Sequence, residues 1–216
     1  MRHSTLLTGV AHGFTGRGEG DLRAGLVESA ANVVASLRGT SALHVVTQVH
    51  GARVVDATTA DLSVEADGIV STLPGVVIAV RVADCVPILM AAPGGVAAIH
   101  AGWRGTAADI ARAGFRALLD ATSCAPEQVR VAIGPCIGPC CYEVGGEVID
   151  GVGRVAPGRR WLAGRNVDLA LANAEILRGE GATVDVLRVC TRCDDAYWSH
   201  RRDGEGAGRQ VGAIRA

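Results

Sequence analysis

The sequence has no lysine, and all 21 of its basic residues are arginine. We read this first as a compositional bias of the source, and second as a supply of guanidinium groups suited to anions. Uninterrupted apolar runs of about 18 residues are also missing, which excludes an ordinary transmembrane helix. Strong net charge is missing too: the formal charge is −1, with 20% charged residues. Bulk electrostatics therefore points to neither a nucleic-acid nor a membrane partner. The opening "MRHSTLLTGVAHGF" lacks the long apolar core of a secretory leader, so a cytoplasmic protein is expected. Disulfides are rare in that compartment, and seven cysteines cannot all pair. The thiols are left for core packing, metal ligation or nucleophilic work.

With 49% hydrophobic residues over 216 positions, the chain can bury one sizeable core, and a single domain over 1–216 is expected. Helical spacing predicts a helix over 21–39, with Leu22, Leu26, Val33, Val34 and Leu37 on its apolar face. A second helix is predicted within "RGTAADIARAGFRALLDAT", with Thr106 as N-cap and Asp109 in its first turn. "YEVGGEVIDGVGR" and "NVDLALANAEILRGEGA" read as two more. Strands are predicted at 42–51, around Ile69–Val70, at 76–85, on both sides of Pro93-Gly94-Gly95, in "EQVRVAIGP" and "TVDVLRV", and at the C-terminal end. The pattern implies an α/β fold: a layered mixed β-sheet with flanking helices.

Within that frame, "VAAIHAGWRGT" (96–106) delivers an imidazole from an apolar strand to a glycine-flanked turn. If Ala92 pairs with Val96 across the turn, Ile88 lies opposite His100, and Cys85 is three residues further back. A strand advances about 3.3 Å per residue, so a modest bend at Val86-Pro87 would bring Cys85 to His100. His50 ends the strand predicted at 42–51. A His-Cys-His set suits zinc and leaves a fourth position open. Each residue also has a plainer reading alone: His100 as a hydrogen-bonded core or turn histidine and Cys85 as a small buried hydrophobe, while His50 alone carries almost no information.

"TQVHG", "VADCVPIL", "IHAGWRGT", "IGPCIGPCCYEVG" and "CTRCDDAYWSHRRDGEGAGRQVGAI" occur in this order. Together they resemble the YfiH-type laccase-domain family, also called the polyphenol oxidase or purine nucleoside phosphorylase family. The opening "HGFTGRGEG" is similar to the family's first motif but departs from its Gly-Gly step. The resemblance implies His50, Cys85 and His100 as zinc ligands, with copper the alternative metal. It implies phosphorolysis of purine nucleosides such as adenosine, inosine and guanosine, with phosphate as co-substrate. Adenosine deaminase and methylthioadenosine phosphorylase activities are companions. A cytosolic zinc amidase that edits peptidoglycan precursors is the alternative. Copper polyphenol oxidation and a non-enzymatic zinc-binding role complete the set. Six histidines, only two of them in the motif set, are few for a multicopper centre.

Around the trio, Arg104 follows His100 by four residues, at the entrance of the predicted helix. It is a candidate for holding an anion during catalysis, or for a structural ion pair. Asp84 would orient a metal ligand, take part in proton transfer or cap a turn. Gln48 would share His50's strand face and touch substrate, or simply hydrogen-bond at the surface. Arg17, Arg201 and Arg202 are further anion-binding candidates, with a solvated loop arginine the reading for at least one of them. Trp103 reads as packing. Cys140 and Cys141 lie beside glycine turns without an adjacent histidine. "CTRC" (190–193) is a lone C-x-x-C that would need two more ligands to hold zinc.

Overall fold

The computed structural model describes residues 1–23 and 27–216, with the side chain of Val27 also outside the description. The strands are β1 (His12–Phe14), β2 (Val54–Asp56), β3 (Gly68–Ser71), β4 (Val77–Val82), β5 (Val86–Ala92), β6 (Gly95–Ala101), β7 (Arg130–Ile133), β8 (Leu162–Ala163), β9 (Asn166–Val167), β10 (Thr183–Val186) and β11 (Gln210–Arg215). The helices are α1 (Val27–Ser36), α2 (Trp103–Ala107), α3 (Ile110–Thr122), α4 (Gly146–Gly153), α5 (Leu169–Gly179) and α6 (His200–Asp203). A mixed six-stranded sheet has the order β10-β7-β5-β6-β3-β2, and an antiparallel three-stranded sheet has the order β1-β11-β4.

The two sheets stack, and helices cover their outer faces, so the layered α/β architecture follows the sequence pattern. Strand alternation sorts the apolar side chains between layers. On β5, Ile88 and Met90 join Phe115, Leu118 and Leu177 beneath the helices. Leu89 and Ala91 point the other way, against Ile78, Val80 and Ile214 of the smaller sheet. On β4, Val77 and Ala79 face out to meet Val33 and Leu37 of α1. Strands buried on both faces read as continuous apolar runs, which is why β4 and β5 are visible in the sequence.

Five predicted elements differ from the structure. The helix predicted over 21–39 is described over Val27–Ser36 and ends three residues early, while Leu26 falls outside the described residues. The segment 42–51 is no regular strand: it makes isolated bridges at His44–Ile78 and Thr47–Glu65, then turns. The hairpin pairs Ala92 with Gly95 and Pro87 with His100, one residue from the expected register. Its turn is the two residues Pro93-Gly94, with Gly94 at φ +85°, a conformation glycine adopts without strain. The helix after His100 is broken: α2 starts at Trp103 behind Gly102, and Asp109, at φ 67°, separates it from α3. Thr106 therefore caps nothing. It is buried inside α2 and its hydroxyl accepts from Asn173 Nδ2 at 3.0 Å. Likewise α5 starts at Leu169, capped by Asp168, because Asn166 and Val167 pair with β8.

Candidate functional site

Three segments converge at one end of the larger sheet. Cys85 immediately precedes β5, His100 lies one residue before the end of β6, and His50 sits in the loop after residue 47. Their donor atoms all lie within 4.8 Å of one another. Cys85 Sγ is 3.9 Å from His50 Nε2, and the two imidazole rings meet edge to face with centroids 4.8 Å apart. His100 is buried, Cys85 half-buried and His50 exposed, so the trio opens to solvent on one side.

Asp67, just before β3, organises this set. Its carboxylate is fully buried. Oδ1 accepts from His100 Nδ1 at 2.7 Å and from the His50 amide at 3.0 Å. Oδ2 accepts from the amides of Gly51 at 2.6 Å and Val49 at 3.3 Å. One buried charge thus orients the His100 ring, leaving its Nε2 for a metal, and clamps the loop that carries His50. That clamp holds His50 at φ 61°, and Asp84, beside Cys85, sits at φ 83°. Two side-chain-bearing residues in the left-handed region at one site mark backbone held by its surroundings.

The electrostatics follow from this packing. Desolvation opposes ionisation of Cys85, but His100 and then His50 hold its thiol down at about 6. Desolvation also opposes protonation of His100, which Cys85 and Asp67 nevertheless push up to about 9. The set favours thiolate, the form that binds metal, and a metal ion would displace the proton that His100 shares with it. The donor set and its spacing fit a zinc ion: one thiolate and two imidazoles, with one imidazole oriented by a carboxylate.

Gly102 supplies space instead of conformational freedom, since its φ is −71°. A Cβ there would lie 2.9 Å from His50 Cδ2 and 3.1 Å from Cys85 Sγ. Gly102→Ala is expected to weaken metal binding at the trio by roughly 5- to 150-fold, the equivalent of about 1–3 kcal/mol of crowding. The melting temperature should barely change, because the exposed His50 can swing away. Competition with a chromophoric chelator, beside a thermal melt, measures both quantities.

The trio opens into a cleft of about 610 Å³, also lined by Gln48, Arg81, Asp84, Tyr142, His200, Arg201 and Arg209. Gln48 lines it with both polar atoms engaged on Arg81, Nε2 donating to its carbonyl and Oε1 accepting from its amide, each at 2.8 Å. Asp84 has other partners than the ligands: Oδ1 accepts from Thr191 Oγ1 and Oδ2 from the Arg201 amide, both at 2.6 Å. Arg201 reaches over Tyr142, with 5.4 Å from guanidinium carbon to ring centre. Arg104 stands outside the lining, inside α2, 4.3 Å over the Trp103 ring. Arg17 and Arg202 are also outside it. Arg17 pairs with Asp203 and stacks on Trp198, while Arg202 bonds Asp203 and the carbonyls of Thr191, Arg192 and Tyr197.

Asp67, Arg81, Tyr142 and Arg209 are site residues that sequence reasoning missed. Arg81 carries a readable signal, a lone charge within the apolar run of β4. Desolvation, then the neighbouring charge of Arg209, depresses its pKa. Like charges crowded at one wall of a cleft favour an anion between them.

The stacked sheets with a thiolate–imidazole set at one edge define a known class. A family model described as multi-copper polyphenol oxidoreductase laccase matches residues 10–216, and the chain belongs to that family. The crystal structure of YlmD from Geobacillus stearothermophilus superposes with a TM-score of 0.78 at 31% identity, covering 95% of this chain and 89% of that one. A Bacillus licheniformis hypothetical protein, YfiH, gives 0.78 at 27% identity over 96% and 89%. By sequence, the chain is 38% identical over 192 residues to purine nucleoside phosphorylase YlmD of G. stearothermophilus, 77% of this chain and 69% of that protein. It is 34% identical over 161 residues to adenosine deaminase RL5 of an unknown prokaryotic organism, 68% and 61% of the two chains. Among the described residues, no helix is long and apolar enough to cross a membrane.

Proposed function

We propose that this chain is a zinc-dependent purine nucleoside phosphorylase with His50, Cys85 and His100 as the metal ligands. The observation that carries the reading is the placement of a thiolate–imidazole trio in the same cleft as Arg81, Arg201 and Arg209. Relatives named purine nucleoside phosphorylase support the reaction class. A zinc ion held by three protein donors supplies a Lewis-acidic centre with a position left for substrate.

The chain's own residues then have defined work. The guanidinium groups of Arg81, Arg201 and Arg209 hold phosphate and neutralise its charge. Tyr142 offers a flat face for the nucleoside. A phosphate oxygen bonds to the ribose anomeric carbon as the bond from that carbon to the purine nitrogen breaks. The base leaves with the electron pair and takes up a proton. Positioning and fixed charge supply the acceleration. Adenosine deamination is the second reading, favoured by the relative named adenosine deaminase. One metal centre accounts for the histidines better than a copper cluster. His50 and His100 meet at Cys85, and His200 lines the cleft, whereas His3 and His12 meet edge to face and His44 bonds the Ala57 carbonyl.

Assays of purified protein with inosine plus phosphate, with adenosine alone and with a muropeptide precursor separate the readings. Ribose-1-phosphate and hypoxanthine are the expected products of the first. Loss of a charge-assisted bidentate contact costs about 2–4 kcal/mol, so Arg201→Ala should lower kcat/KM for phosphate by roughly thirty- to a thousand-fold. Arg104→Ala, measured in parallel, tests whether the arginine outside the lining shares that work. Equal losses in phosphorolysis and deamination, independent of phosphate concentration, would remove the phosphate assignment.

A further inference from the structure

Cys140, Cys141, Cys190 and Cys193 play no part in the cleft chemistry, yet the fold gathers them. β7 and β10 are parallel neighbours, and a bridge between Cys136 and Cys190 continues their pairing beyond the strand ends. The loop carrying Cys140-Cys141 is thereby laid against the C-x-x-C at 190–193. The four sulfur atoms all lie within 4.8 Å of one another, with Cys141–Cys193 at 3.3 Å and Cys140–Cys193 at 3.7 Å. Four thiolates at about 2.3 Å from one zinc ion sit about 3.8 Å apart at tetrahedral corners, and these two spacings fall inside that value while the whole set stays within 4.8 Å. A disulfide needs about 2.05 Å.

The backbone is shaped for such a group. The amide of Gly138 donates to Cys190 Sγ at 3.2 Å. The C-x-x-C closes into a turn, with the amides of Cys193 and Asp194 donating to the Cys190 carbonyl at 3.2 and 3.0 Å. A Cβ on Gly138 would come within 3.2 Å of Cys190 Cβ and 3.4 Å of Cys140 Sγ, so glycine there permits the close approach. Arg192, between the two cysteines of the C-x-x-C, places a positive charge beside the group that can offset part of the charge of four thiolates.

We propose that Cys140, Cys141, Cys190 and Cys193 bind a second zinc ion, as a closed structural site distinct from the cleft trio. Four protein donors leave no open position, so the ion does no chemistry. It staples two loops that both reach the cleft wall. On one side, the Ile137 amide donates to the Asp84 carbonyl at 2.9 Å, and Tyr142 lines the cleft. On the other, Thr191 Oγ1 donates to Asp84 Oδ1 at 2.6 Å. Asp84 is the residue before Cys85, so the staple positions the wall that carries the trio.

The test is metal content by elemental analysis after saturation with zinc and desalting, repeated with cobalt(II) for its absorption spectrum. Parent protein is expected to hold two equivalents. A His50→Ala, Cys85→Ala, His100→Ala variant should keep one, and its cobalt form should show intense thiolate-to-metal bands. Cys140→Ser with Cys193→Ser, both exposed positions, should remove one equivalent from the parent and those bands from the trio variant. One equivalent in the parent, lost with the cysteine pair and untouched by the trio changes, would sink the cleft-metal reading while supporting this one. Retention of full metal by the cysteine variant would overturn the proposal. So would a non-reducing intact mass lighter by the hydrogens of one or two disulfides.

Discussion

His100→Ala is expected to remove the cleft metal, leaving one equivalent fewer than the parent, while the chain stays folded. The ring is nearly fully buried, and its Nε2 is the donor held most rigidly in the set. Loss of an outer partner of a metal ligand costs about 10–100-fold in affinity, and loss of the ligand itself should exceed that. Nucleoside turnover should fall in step with metal content. Stability should fall less steeply. Asp67 loses one charge-assisted hydrogen bond, about 1.5–3 kcal/mol, but keeps the amides of Val49, His50 and Gly51. For a chain of this size that is a drop of roughly 3–12 °C in melting temperature. The stacked cores beneath α3 and α5 and between the sheets contain no residue of the trio. Elemental analysis, a thermal melt and kcat/KM for inosine make the check. A variant with the parent's metal count and activity would dismiss His100 as a ligand.

The hairpin that presents His100 is legible because its cues are local: apolar runs on both sides of a proline-glycine turn. Periodicity cannot distinguish a two-residue turn from a three-residue one, so the expected register was one residue out. The approach of Cys85 to His100 survived that error, because Pro87 opposite His100 leaves Cys85 only two residues away. Residues 42–51 misled because β-branched composition reports a preference for extended backbone, not the partner strand needed to make a sheet. There the chain turns away so that His50 can enter the left-handed region, and the cause lies 17 residues on in Asp67. Thr106, expected as a cap, is instead tied inside α2 to Asn173 of α5, a contact that sequence spacing does not reveal. The four cysteines look unrelated in sequence, and only the adjacency of β7 and β10 unites them.

Asp67 is the residue whose loss should do the most combined damage, although nothing in "VEADGIVS" distinguishes it from a surface acid. Its charge is tolerable in the interior because four N–H groups surround it, and those groups in turn rely on it. Asp67→Ala leaves the buried His100 ring without its acceptor and takes the same acceptor from three backbone amides that are partly buried. Breaking a buried charged partnership of this kind costs about 3–5 kcal/mol, and the loop holding His50 should loosen with it. Asp67→Asn is the more informative variant. It keeps the shape and one acceptor oxygen but turns an NH2 group toward donors that need an acceptor. If its oxygen stays on the Val49 and Gly51 amides, His100 Nδ1–H loses its acceptor, and the ring can flip or change tautomer. Zinc affinity should then fall by about 10–100-fold, with a smaller loss of stability than in the alanine variant. Chelator competition and denaturant unfolding, each run on metal-free and metal-loaded protein, resolve the two effects. If Asp67→Asn binds zinc as tightly as the parent, the carboxylate serves the loop alone, and the orientation of His100 must come from its burial and its place on β6.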